Sequence, residues 1–166
     1  MELNEIRKVI ENNESFLNLK KKYPKIFLYA VFSTLSNEKF ILDLDYYLNK
    51  EEVAIFSFEN SGINMKISKL DKEMIKDVKK PREIKGKIIL EPEIVAEIIK
   101  NEIKKIKGSI SKLILTLMNQ NGKNIWKVNC ILENLDIIIF EVSDKEKKVI
   151  KFERKNLADF VKYLKK

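Results

Sequence analysis

Leu48-Asn-Lys-Glu-Glu-Val-Ala-Ile-Phe-Ser-Phe58 can be laid over Leu132-Glu-Asn-Leu-Asp-Ile-Ile-Ile-Phe-Glu-Val142 without a gap, at an offset of 84 residues. At the same offset, Leu42, Leu44, Tyr46 and Leu48 fall on Trp126, Val128, Cys130 and Leu132. Both sets are apolar at every second position, the period of a strand with one buried face. Further back, Ser36-Asn-Glu38 falls on Gln120-Asn-Gly122, and Tyr29-Ala-Val31 on Leu113-Ile-Leu115. Forward, one inserted residue brings Met65 and Ile67 onto Ile150 and Phe152. One more brings Met74-Ile-Lys-Asp-Val78 onto Phe160-Val-Lys-Tyr-Leu164. The shared order of elements and the nearly constant offset point to an ancestral duplication. The expected fold is α+β: two tandem repeats, each a helix, a four-stranded antiparallel sheet and a closing helix, related by a pseudo-two-fold. The repeats span 1–82 and 83–166, with Lys80-Pro81-Arg82 at the boundary.

Each repeat opens with an amphipathic pattern. Ile6, Val9, Ile10 and Leu17 mark a buried stripe in the first, with Asn13 a polar gap in it. Val95, Ile98, Ile99, Ile103 and Ile106 mark the second, where Pro92 suits the first turn and Gly108 the C-terminus. Strands are expected near 25–35, 39–48, 52–59 and 62–68, and again near 110–119, 123–133, 136–143 and 147–153. Asn121-Gly122 is a tight-hairpin signal. Short helices near 71–79 and 155–165 close the repeats.

Composition narrows the chemistry. The 166 residues contain no His and one Cys. That excludes Ser-His-Asp or Cys-His catalysis, a His metal ligand, an intramolecular disulfide and a Cys-rich zinc site. The isolated glycines form neither G-x-x-x-x-G-K nor G-x-G-x-x-G. The longest unbroken apolar run, Phe27–Phe32, is far too short to span a bilayer. The acids of Met1-Glu-Leu-Asn-Glu stand where a signal peptide carries basic residues, so a cytoplasmic protein is expected, without membrane contact.

The strand patterns carry the functional expectation. Helices on one face of an antiparallel sheet leave the other face to solvent, polar at alternate positions. The second strand of each repeat obeys, with Ile41, Asp43, Asp45 and Tyr47 in one and Ile125, Lys127, Asn129 and Ile131 in the other. The first and third strands do not: Phe27–Phe32, Leu113–Met118 and Ile137–Phe140 are apolar on both faces. The other repeat, a second copy of the chain or a partner must cover the excess.

Asp43 and Asp45, two apart on a strand, point to one face, as paired carboxylates for acid–base work or a metal would. Their counterparts are Lys127 and Asn129, so the pair reads as the wet side of a strand. Asp136, Glu141 and Asp144 match no calcium loop and are expected to be solvated. Cys130 is expected to be a small buried hydrophobe.

Net charge is +8. Residues 83–166 carry 18 basic and 12 acidic side chains against 15 and 13 in residues 1–82. The clusters Lys20–Lys22 with Lys25, Lys104-Lys105 with Lys107, and Lys147-Lys148 with Lys151 have acids nearby, and read as solvated surface.

Residues 123–153 resemble the PepSY-type module, a helix-plus-four-strand domain, through Trp126-Lys-Val128 and Val142-Ser-Asp144-Lys-Glu-Lys-Lys-Val149. The module's glycine before the last strand is replaced by Lys147 or Lys148. Two such units in tandem are similar to the beta-lactamase inhibitor proteins, which bind their targets with a continuous concave sheet. Those proteins are secreted and disulfide-bonded, which this chain is not expected to be. The resemblance implies a binding or inhibitory module. Ala54-Ile-Phe-Ser57 with Ser61-Gly62 is also similar to a strand of the saddle of TATA-box-binding proteins, but that saddle's arginine pairs are absent, the only arginines being Arg7, Arg82 and Arg154.

The expectation is therefore a non-catalytic binding or regulatory protein without cofactor or metal. It would engage a protein partner, or a second copy of itself, through a sheet face bearing Asp43, Asp45, Tyr47, Lys127, Asn129 and Ile131. The alternative is a nucleic-acid-binding module using the basic surface of the second repeat.

Overall fold

Alternation decides the strands. In the computed structural model, which describes residues 2–36, 39–59, 62–69, 81–134 and 136–156, eight strands form within three residues of the expected ends. They are β1 (Phe27–Ser36), β2 (Lys39–Tyr47), β3 (Glu52–Glu59), β4 (Gly62–Lys69), β5 (Ile110–Gln120), β6 (Lys123–Leu132), β7 (Asp136–Ser143) and β8 (Lys148–Asn156). The helix expected at 71–79 lies outside the described residues. So does most of 155–165, whose first two residues extend β8 instead. Asn121 and Gly122 both take positive φ, 52° and 85°, as a tight hairpin turn requires.

The order of strands across the two halves, which the sequence left open, is settled by a single continuous sheet. There is one antiparallel sheet in the order β4-β3-β2-β1-β5-β6-β7-β8. β1 and β5 would otherwise each present an unpaired row of N–H and C=O groups on an apolar strand, and pairing them removes both edges.

The register repeats at the offset found in the sequence. Leu44 pairs with Phe56, and Val128 with Phe140. Val31 pairs with Leu44, and Leu115 with Val128. Phe32 pairs across the junction with Thr116, its own counterpart, and their neighbours pair outward symmetrically as Val31 with Leu117 and Ser33 with Leu115. A local two-fold axis normal to the sheet thus passes between Phe32 and Thr116. The offset changes at the outermost hairpins. Phe56 pairs with Met65 but Phe140 pairs with Phe152, so Met65 corresponds to Phe152 and not to Ile150.

Among the described residues three helices lie on one face of the sheet: α1 (Leu3–Glu11), α2 (Glu14–Lys22) and α3 (Pro92–Lys105). The single N-terminal helix is corrected to two. Asn13, the polar gap in the stripe, caps α2, its Oδ1 accepting from Ser15 N at 2.9 Å. The break turns Val9 and Leu17 outward, and Leu3, Ile6, Ile10, Phe16 and Leu19 are the buried residues. On α3, Val95, Ile99 and Ile103 are buried as expected, whereas Ile106 lies beyond the helix end and is exposed. Gly108 does not supply the left-handed residue, which is Lys107 at φ 54°. It supplies room, since a Cβ there would stand 3.0 Å from Ile103 Cγ2.

The buried helix residues join one apolar cluster with Leu28, Leu44, Tyr46, Phe56, Leu115, Trp126, Val128 and Cys130. The inter-repeat chain, the segment between β4 and α3 that the sequence placed at the boundary, is woven into both halves of the sheet. Ile84 N donates to Leu28 O at 2.8 Å, and Asn4 exchanges two hydrogen bonds with the backbone of Ile88. Asp144, expected in solvent, is 2% exposed. Its carboxylate accepts from Ile89 N at 3.0 Å, Leu90 N at 2.8 Å and Trp126 Nε1 at 3.3 Å. Asp136 is also buried, held by Arg154 Nε at 3.0 Å, and the guanidinium keeps its carboxyl below the usual range. Glu141 alone of the three is half-exposed, 3.8 Å from Lys151. Lys147, in the turn between β7 and β8, takes the left-handed backbone at φ 55°. Among the described residues no helix is long and apolar enough to cross a membrane.

Candidate partner-binding face

With α1, α2 and α3 on one side, the described residues place no element over the other side of the sheet. Register assigns its side chains in transverse rows. One row runs Ser57, Asp43, Phe32, Thr116, Lys127, Glu141. The next runs Lys66, Ile55, Asp45, Ala30, Met118, Ile125, Ser143. A third runs Ile41, Thr34, Ile114, Asn129, Ile139. The six residues expected on this face, Asp43, Asp45, Tyr47, Lys127, Asn129 and Ile131, all lie on it. Strand alternation alone puts them there, because Leu42, Leu44, Tyr46, Val128 and Cys130 between them turn to the core.

The apolar excess expected on this face is there, but Asp43 and Asp45 are not the plain wet side of a strand. Ile41 is 54% exposed and Phe32 37%, while Ile114, Ile131, Ile137 and Ile139 are half-buried. Asp45 is only 5% exposed. The β1–β2 register shifts between Leu28 and Ala30, so Tyr29 is the extra residue of a bulge. Its hydroxyl donates to Asp45 Oδ2 at 3.3 Å. Tyr47 stands edge-on to Tyr29 and stacks obliquely on Phe27.

Burial, and then the neighbouring Asp43, push the Asp45 carboxyl up to about 7. Tyr29 is driven upward by burial and by Asp45, and so remains a hydrogen-bond donor. Asp43 Oδ1 and Asp45 Oδ1 are buried without a hydrogen-bond partner. Among the described residues the only cation contributing at Asp45 is Lys66, two strands away, whose effect is outweighed. A carboxylate pair so placed holds a proton or receives a cationic group. Among the described residues no three His, Cys, Asp or Glu side chains converge as metal ligands. Cys130 sits in the core behind the face, its thiol pushed by burial up to about 11, and is no nucleophile at neutral pH.

A second feature was missed in the sequence. An open groove of about 1050 Å³ runs at one end of the sheet between the inter-repeat chain and the β5–β6 and β7–β8 turns. Arg82, Lys85, Lys87, Lys123 and Lys145 line it, against Glu83 and Glu146. These cations are scattered over 64 residues of sequence, so no cluster announces them. The clusters that do show in sequence are partly neutralised, with Lys105 2.6 Å from Glu102 and Lys148 3.0 Å from Glu146.

A solved structure shares this architecture. It is the crystal structure of a "putative lipoprotein" from Clostridium difficile 630, superposing with a TM-score of 0.54 over 86% of this chain and 91% of that one, at 16% identity. The likeness is one of fold. No family model matches the chain, and no curated protein does.

Proposed function

We propose that this chain is a non-catalytic binding module, built by duplication of a helix-plus-four-strand unit, whose working surface is the open face of its sheet. The duplication is supported by the palindromic strand order and by registers that recur 84 residues apart about the Phe32–Thr116 axis. The binding role is carried by one observation: no described element covers a face where Phe32 and Ile41 are exposed beside two carboxylate oxygens lacking partners. Apolar surface beside unpaired acceptors is the composition of an interface. The resemblance to the beta-lactamase inhibitor proteins points the same way.

Site-specific photocrosslinking in the cells that make the protein tests it. A photoreactive residue at Ile114 or Ile139 is expected to give discrete adducts, and the same residue at Val9 or Ile94 on the helical side none. Equal yields from both sides would contradict the proposal.

A second reading is favoured by the basic groove, which suits the phosphates of a nucleic acid. A gel shift that weakens steeply with salt and is lost on Lys85→Glu and Lys123→Glu is its expected signature. Binding that persists in that double variant would remove the groove as the nucleic-acid site.

A further inference from the structure

We infer that the open sheet face receives a second copy of this chain, packed face to face about a two-fold axis parallel to the strands, with Asp43 of each copy against Lys127 of the partner subunit. This rests on the binding role proposed above and names the occupant.

Symmetry and charge select the arrangement. Asp43 and Lys127 are counterparts in the two repeats and lie in one transverse row, on either side of the Phe32–Thr116 centre. Two sheets can meet face to face on that centre with the dyad along the strands or across them. An axis across the strands lays β2 on β2, so that Asp43 meets Asp43 and Lys127 meets Lys127. An axis along the strands lays β2 on β6, so that both charges are matched, twice per dimer. Like charges brought together at an interface are strongly disfavoured, so only the second arrangement survives.

Among the described residues the groups concerned lack partners within one copy. Asp43 Oδ1 is buried and unbonded. Among the described residues Lys127 makes no ion pair; its neighbour Glu141 is 3.8 Å from Lys151. Packed sheets stand about 10 Å apart, a gap that lysine and aspartate side chains span between them. The face is large enough. Eight strands at about 4.8 Å spacing make it roughly 35 Å wide, and a stable interface needs about 800 Å² from each partner. Sheet twist separates the outer strands, so contact centres on β2, β1, β5 and β6.

Sedimentation of the full chain tests this through charge exchange. The wild type is expected to be a dimer that weakens with salt. Asp43→Lys and Lys127→Asp are each expected to weaken it about 30-fold or more, and the double variant to restore it to within about tenfold of the wild type. Should Asp43→Lys fail to fold, Asp43→Asn and Lys127→Met take its place, each with a dimer about tenfold weaker or more. A wild type that remains monomeric at about 0.5 mM, or folded single variants that dimerise as well as the wild type, would overturn the inference. So would a folded double variant as monomeric as the singles. Crosslinks from Ile114 to a protein of another mass, with a monomeric chain, would overturn the dimer and leave the binding role standing. No adduct from this face would remove both.

Discussion

Replacing Asp144 by alanine is expected to destabilise the protein by about 3–5 kcal/mol, read as a fall in denaturation midpoint at unchanged slope. The carboxylate accepts from Ile89 N, Leu90 N and the indole of Trp126, which is fully buried. Truncation leaves donors in the interior with nothing to meet, and that desolvation cost exceeds the net worth of the bonds. It also loosens the segment before α3, which is then held to the second half by Asn119 on Glu83 O and Asn124 on Lys85 O. Asp144→Asn keeps the shape but offers one acceptor oxygen in place of two, and is expected to cost about 1–2 kcal/mol. For a domain of this size the alanine variant should melt roughly 10 °C lower. A loss below about 1 kcal/mol, the worth of a surface charge, would show that Asp144 is not the clasp described here.

Asp45 should make stability fall as pH rises. Its carboxyl lies at about 7 in the folded protein against 3.8 in an unfolded chain. The folded state therefore keeps a proton that the unfolded state gives up. The contribution is fully present below about pH 4 and is lost as pH climbs through the folded value. A shift of this size corresponds to something on the order of 2–4 kcal/mol. Asp136, Glu52 and Glu146 are held low and contribute with the opposite sign, so the difference between wild type and Asp45→Asn isolates the effect. The two chains should be about equally stable near pH 4, and Asp45→Asn the more stable by that amount at pH 8. Parallel curves across this range would mean that Asp45 ionises freely.

The parts of the fold set by local pattern were legible. Alternation at Leu42, Leu44 and Tyr46 and at Trp126, Val128 and Cys130 gave strands, faces and the 84-residue offset, and Asn121-Gly122 gave a hairpin. What failed depends on contacts distant in sequence. Nothing local tells β1 to pair with β5, so the order of strands across the two halves could not be read. Asn13 read as a flaw in one stripe because a capping residue and a polar interruption look alike until the chain bends.

Asp144 was misjudged by its setting in a charged hairpin, although a signal existed. Trp126 on an otherwise apolar strand face has an N–H that requires an acceptor when buried, and Asp144 supplies it. On the candidate face, alternation placed Asp43, Asp45 and Tyr47 but could not show that a bulge would fold Tyr29 over Asp45 and bury it. The basic groove was invisible for a related reason, its cations being drawn together only by the path of the inter-repeat chain.

The openness of the second sheet face is the claim on which binding and dimerisation both depend. Isoleucine-methyl NMR with a soluble paramagnetic agent measures it directly, on the Lys127→Asp variant at a concentration where sedimentation shows a monomer. Ile41 should broaden as strongly as the helix-side residue Ile94, with Ile114 and Ile139 intermediate and Ile99 and Ile103 unaffected. Methyls of Ile41, Ile114 and Ile139 as shielded as that of Ile99 would mean that the chain covers this face itself, and would contradict the account.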